Sequence, residues 1–355
     1  RNFQTGYFKE AENVYPENWR GKYVVKDAGC PGCPIRCWKL SLVREGPYTG
    51  YYSWGPEYET TWALGAQCGN SRMDVIIAGD RLCDLYGIDT ISTGNIIGFA
   101  MECYERGLLT DEDTDGIPLN FGNPDAILEC IRRMALKEGR LGRLLSLGVR
   151  RLSERLGAER FAMQVKGLEM PAYEPRGVWG MALAYATSIR GACHLKAWTV
   201  GDEVSGTVPR WSVREKPELV VQLQNMRAVF DSIGICLFAT KALPWDTLPA
   251  LLESVTGMKF TSESLLEAGA RIYTLERLIN VRCGVTKADD TLPERVFTEP
   301  FPNGPTKGRY LKREDFNYMI REYYRLRGWV DGTPTREVLK ALKMEDILEL
   351  IGEGV

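Results

Sequence analysis

The chain has 355 residues, 44% of them hydrophobic and 26% charged, with a formal net charge of −2. Such a chain has room for two ordinary domains, and its balance gives no electrostatic reason to expect a nucleic acid or a membrane surface as partner. No apolar run reaches the roughly 18 residues needed to span a bilayer.

Arg1-Asn2-Phe3-Gln4 lacks a starting Met and the basic and apolar segments of a signal peptide. It reads like the middle of a gene, so a cytoplasmic fragment, processed chain or subunit of a split protein is expected. Of ten cysteines, three are packed into Cys30-Pro-Gly-Cys33-Pro-Ile-Arg-Cys37 and seven are scattered singly. The cluster predicts a metal site in a reducing compartment, and the singles are expected to be mostly buried thiols.

Helical periodicity dominates the rest. The aromatic run Tyr48 to Trp54 is the best strand candidate. Met73, Ile76, Ile77 and Leu85 share a face before Gly87. Thr93 is a candidate cap for a helix bearing Ile97, Met101 and Tyr104 that ends at Gly107. Ile127, Leu128, Ile131 and Met134 recur at the same spacing with Gly139 as the stop. Gln164 to Gly180 reads as a long irregular connection. Leu219, Leu223, Met226, Phe230 and Ile233 form a stripe closed by Gly234. Leu265, Ile272, Leu278 and Ile279 mark a helix ending at Gly284, and Phe316, Met319, Ile320 and Tyr323 mark one stopping at Gly328. The predicted fold is mainly α, multihelical, with two helical lobes over residues 1–163 and 164–355.

Two constellations carry chemistry. A C-x2-C-x3-C run with a distant fourth Cys suits a cubane iron–sulfur cluster, because three thiolates from one loop reach three irons. Structural zinc competes with this reading, although a pair of C-x2-C knuckles would suit zinc better and only one is present. The second constellation is a repeated hexapeptide, Asp84-Leu-Tyr-Gly87-Ile-Asp89 and Asp231-Ser-Ile-Gly234-Ile-Cys236. Each copy sets a carboxylate one turn before a helix-ending Gly, and two such acceptors suit the N–H-rich edges of flat heterocycles such as pterins.

These residues resemble the aldehyde:ferredoxin oxidoreductase family. The resemblance extends through Gly55-Pro-Glu-Tyr-Glu59-Thr, Asp89-Thr-Ile-Ser-Thr-Gly94, Pro171-Ala-Tyr-Glu-Pro-Arg-Gly177, Arg190-Gly-Ala-Cys-His194-Leu-Lys196 and Tyr323-Tyr-Arg-Leu-Arg-Gly-Trp329, and covers essentially the whole chain. It implies helical lobes like the family's second and third domains. The first would hold three cluster cysteines and one pterin motif; the second would hold His194, the other pterin motif and the fourth cysteine.

The resemblance further implies a [4Fe-4S] cluster on Cys30, Cys33, Cys37 and Cys236. It implies a tungsten (or molybdenum) bis-pyranopterin with magnesium bridging the pterin phosphates. Asp84, Ile88, Asp89 and Thr90 would contact one pterin, and Asp231 and Ile235 the other. Lys196 and Arg190 are candidates for pterin phosphates. Glu59 and His194, the only histidine of the chain, would move protons beside the metal, with Tyr58 a candidate donor to an aldehyde oxygen.

The function implied is oxidation of an aldehyde substrate to a carboxylic acid, with electrons passing to a ferredoxin-type carrier. A relative acting reductively on an acid or aryl thioester, or a non-catalytic Fe–S electron-transfer subunit, are the alternatives. In the family an N-terminal base domain seats the pterins; here it is expected as a missing segment or companion subunit. Ala78-Gly-Asp-Arg81 stands where some members carry E-x-x-H ligands to a dimer-bridging iron, which counts against that iron here.

Overall fold

A computed structural model describes residues 1–347. Two compact units emerge, one formed by Arg1–Glu174 with Pro293–Tyr310, the other by Pro175–Leu292 with the described residues from Leu311 on. The sequence places a division at 163; the first unit instead keeps the short hairpin of Gln164–Val165 and Leu168–Glu169. Glu169 holds it there, accepting from Ser92 Oγ at 2.9 Å and from Val149 N at 2.9 Å.

The first unit packs the helices Met73–Tyr86, Thr90–Glu105, Pro124–Leu136, Gly139–Leu145 and Gly148–Leu156 around one core that includes Ile76, Ile97, Ile127, Leu141 and Leu152. Met73–Tyr86 matches its predicted stop, and Met73, Ile76 and Ile77 are buried as expected, but Leu85 is 60% exposed and Cys83 is buried in its place. The next helix starts a turn earlier than Thr93 would have it. Asp89 is its cap, because the Asp89 carboxylate accepts from Ser92 N at 2.7 Å and satisfies an otherwise orphan donor. The Pro124 helix ends on left-handed Lys137 rather than Gly139, which opens the following helix. There Asp115 accepts from Arg140 N and Leu141 N, so a distant carboxylate caps that start.

A three-stranded antiparallel sheet precedes these helices: Val24–Ala28 pairs with Trp38–Leu42, which pairs with Tyr52–Ser53. Only two residues of the aromatic run are strand. In the hairpin ahead of it Trp38–Leu42 does alternate apolar and polar residues, a signal passed over, whereas Val24–Ala28 does not, and a register shift between Val24 and Lys26 breaks its period.

In the second unit, Lys216–Ile233 packs against Ser262–Arg282, Arg313–Arg327 and the wholly buried Trp179–Thr187. All three predicted stripes here form helices, and Gly234 and Gly328 are their left-handed stops; the middle helix ends at Arg282, with Gly284 just beyond. Arg327 links these helices, donating to Gln224 Oε1 at 2.7 Å and Asn225 Oδ1 at 2.6 Å beside Tyr323 and Trp329. Among the described residues no helix is long and apolar enough to cross a membrane.

Candidate functional site

The cysteine run is the tip of the first hairpin, between Ala28 and Trp38, which face each other across the ladder. Two left-handed residues, Gly32 and Arg36, fold the tip back, and Cys33 N donates to Cys30 O at 3.0 Å. Cys30 is exposed, and Cys33 and Cys37 are half-buried. Cys68, Cys83, Cys103 and Cys130 lie in the core, where burial pushes the first three thiols up to about 12 and Cys130 higher still. Thiols held neutral by an apolar core are poor metal ligands, whereas accessible thiols on a turn with free amides are suitable ones.

The hairpin is tied to the segment behind it. Ser41 Oγ donates to Gly55 O at 2.8 Å, Gly55 N donates to Ser53 Oγ at 3.0 Å, and Ser53 Oγ donates to Asp80 Oδ2 at 2.6 Å. Past the cis Gly55–Pro56 bond the helix Tyr58–Ala63 begins. In its first turn Glu59 Oε2 accepts from Ala172 N at 2.9 Å. Thr60 Oγ1 lies 2.8 Å from Thr90 Oγ1, and the Tyr58 and Tyr173 rings stack at 5.7 Å. Three segments far apart in sequence thereby meet at Glu59. Burial pushes its carboxyl up to about 7; the Ala172 amide opposes this, and the Asp89 charge adds to it.

Both hexapeptides fold alike. Gly87 N and Gly234 N donate to Asp84 O and Asp231 O, and Ile88 N and Ile235 N donate to Cys83 O and Phe230 O. Gly87 at φ +67° and Gly234 at φ +73° occupy the left-handed region that this double bond demands. Asp84 and Asp231 are exposed, while Ile88, Thr90 and Ile235 are half-buried. Asp89 and Cys236 occupy the equivalent N-cap position of the next helix, and Cys236 is exposed.

In the second unit Lys196 Nζ lies 3.2 Å from Asp231 Oδ2 and 3.6 Å from Glu276 Oε1. Sequence reasoning had not picked out Glu276. The close crossing of its helix with Lys216–Ile233 positions it: any Cβ on Gly269 would collide with the Asn225 carbonyl, and Glu276 is two turns further along the same face. That glycine was the available signal. Burial raises the Glu276 pKa, against the neighbouring Lys196. Arg227, also missed, lies one turn before Asp231; burial lowers its pKa, and the Asp231, Cys236 and Cys193 charges oppose that. Arg190 Nη1 approaches Cys193 Sγ at 3.6 Å, and His194 beside it is half-buried.

No ligand set of three or more His, Cys, Asp or Glu side chains forms a metal site by itself among the described residues. The donors nonetheless fit the implied groups. Glu276 Oε2 is buried without a hydrogen-bonding partner, an open acceptor beside Asp231 for a donor-rich ring, and the hairpin supplies accessible thiols for soft metal ions.

The chain matches the family model described as aldehyde ferredoxin oxidoreductase, domains 2 and 3, over residues 1–344. It is 40% identical to the tungsten-containing aldehyde ferredoxin oxidoreductase of Pyrococcus abyssi, covering 98% of this chain and 58% of that protein. It is 33% identical to the WOR-like subunit of an aliphatic sulfonate oxidoreductase of Pyrococcus furiosus, covering 96% and 54%. A solved structure, the active-site complex BamBC of benzoyl coenzyme A reductase, shares the fold with a TM-score of 0.77 at 20% identity over 98% of this chain and 58% of that one. Fold and relatives define the class as oxidoreductases built on multihelical domains. The chain belongs to the aldehyde ferredoxin oxidoreductase family, and it spans under three-fifths of the length of the curated relatives it matches.

Proposed function

We propose that the complete protein oxidises an aldehyde and water to a carboxylic acid at a tungsten bis-pyranopterin centre and delivers the electrons singly to a ferredoxin-type carrier. The observation that carries this reading is the convergence of Tyr58–Thr60, Asp89–Thr90 and Ala172–Tyr173 on a Glu59 carboxyl whose pKa is pushed up to about 7. A carboxyl poised there takes or gives a proton at neutral pH.

The bound metal would supply two-electron redox chemistry. The chain's own residues do the rest. Asp84 and Asp231 orient the rings by accepting their N–H groups. Glu59 and His194 take the protons released. Cys30, Cys33, Cys37 and Cys236 ligate a [4Fe-4S] cluster. Lys196, 3.2 Å from Asp231 Oδ2, holds that carboxylate aimed. The companion base domain or subunit would seat the pterin phosphates and their magnesium, so this chain by itself is expected not to retain tungsten.

Metal analysis of anaerobically prepared complete protein tests the reading. Iron, acid-labile sulfide and tungsten are expected, and stoichiometric zinc without iron would refute the cluster. Cys236→Ala should lose or convert the cluster, whereas Cys130→Ala should keep its iron. For the rings, Asp84→Ala or Asp231→Ala leaves a ligand donor unpaired, at a cost of about 1.5–3 kcal/mol of cofactor binding. Pterin content measured after gel filtration should drop in each; undiminished content in both would overturn the assignment.

A further inference from the structure

The hairpin that presents the three cysteines is also a concentrated positive face. Between Arg20 and Glu45 there are six lysines or arginines against two acids, in a chain whose net charge is −2. Asp27 is already shared by Arg20 at 2.6 Å and Lys39 at 3.3 Å, and Glu45 lies 3.6 Å from Lys22. Lys26, Arg36 and Arg44 are exposed and have no carboxylate partner among the described residues. Apolar side chains sit among these charges. Ile35 stands at the hairpin tip, and the rings of Trp38 and Trp54 lie 6.4 Å apart, the indoles 37% and 47% exposed. An exposed aromatic pair rimmed by unpaired cations has the make-up of an interaction surface. Lys26 and the bulge beside it also protect an open sheet edge, but edge protection accounts for neither the two indoles nor the charge at the tip.

We propose that this hairpin face docks an acidic, soluble iron–sulfur carrier of the ferredoxin type. The inference rests on the function proposed above and names the surface through which its electrons leave. If Cys30, Cys33 and Cys37 ligate the cluster, the hairpin tip is the stretch of surface next to it. Each encounter oxidises the protein by one electron and reduces the carrier by one, so each aldehyde oxidised requires two encounters. Rapid exchange of carriers favours a small face with positive steering over a large apolar one.

The test uses the complete, anaerobically isolated enzyme with an acidic ferredoxin as protein acceptor and benzyl viologen as small acceptor. Lys22→Glu/Lys26→Glu reverses charge on the face and touches none of the proposed ligands. Its Kd for ferredoxin by calorimetry, and its KM for ferredoxin, should rise roughly tenfold at low ionic strength. Turnover with benzyl viologen should be unchanged, and wild-type affinity should fall as salt is added. Arg44→Glu, at the far end of the hairpin, should shift Kd in the same direction and serves if the double variant folds poorly.

Wild-type Kd and KM in both variants, or ferredoxin affinity indifferent to salt, would overturn the docking face. Salt-sensitive self-association of the enzyme through the same residues, with no ferredoxin bound, would overturn it as well. Enzyme lacking iron and tungsten altogether would overturn the proposed function instead, so the two failures are distinguishable.

Discussion

Replacing Glu59 by Gln in the complete enzyme should lower kcat by about 10²–10⁴-fold while iron and tungsten stay at wild-type content. Gln keeps the shape and can still accept from the Ala172 amide, which is 2.9 Å from Glu59 Oε2, but it cannot carry the proton. The pH dependence gives a second signature. A base with its pKa pushed up to about 7 produces an acid limb in kcat/KM near that pH, and the limb should vanish in the variant. His194→Asn should cause a loss of the same order. Near-normal turnover in either variant would make that residue structural.

Linkage supplies a check that needs no cofactor. The folded pKa of Glu59, about 7, is above its ordinary value of 4.5. Between those values the folded chain holds more protons than the unfolded one, so this group's contribution to stability falls as pH rises from about 4.5 to 7. Glu59→Gln removes that fall. In denaturant titrations of the cofactor-free chain, the variant should gain on wild type at pH 8 and show little gain at pH 5. Gained stability together with lost activity is the mark of a carboxylate held at a cost for its chemistry. Equal stability of the two chains at both pH values would contradict the burial of Glu59.

The second large effect is on stability. Arg295, fully buried, donates to Glu102 Oε1 at 2.6 Å and Oε2 at 3.0 Å, to Glu299 at 2.8 Å and to the Asn2 carbonyl. Asn2 Nδ2 donates to Glu102 Oε2 at 2.6 Å. This cluster fastens the Pro293–Tyr310 segment into the first unit. Glu102→Ala leaves the buried guanidinium with only the partly exposed Glu299 as counter-charge and should destabilise that unit by about 3–5 kcal/mol. Glu102→Leu/Arg295→Met should recover most of the loss, because removing both charges also removes their desolvation cost. Burial raises the Glu102 pKa, but Arg295 outweighs it and holds the carboxyl below its ordinary value. The stabilisation is therefore complete above about pH 4.5 and fades as acid protonates Glu102. Unfolding midpoints of the three chains across pH measure all of this. A single variant as stable as the double would show that the pair contributes nothing.

The long helices were legible in the sequence because their apolar residues recur at helical spacing, even where several neighbours bury more than one face. A 3.6-residue period and a glycine stop then suffice, as at Met73–Tyr86 and Lys216–Ile233. The twin hexapeptides were legible for the same local reason: a left-handed Gly after an Asp is a property of six consecutive residues. What the sequence could not disclose was set by partners distant along the chain. Lys137 takes the stop expected at Gly139 while Asp115 caps the helix that Gly139 opens, Ala172 meets Glu59, and the Gly269 crossing brings Glu276 to Lys196. In the cysteine hairpin Val24–Ala28 was invisible as strand because its ladder is irregular and half-exposed and it does not alternate, whereas Trp38–Leu42 alternates over only five residues and was passed over. Chemistry-bearing residue types can be read one position at a time. Their pKa values and pairings depend on burial and on neighbours that only tertiary packing supplies.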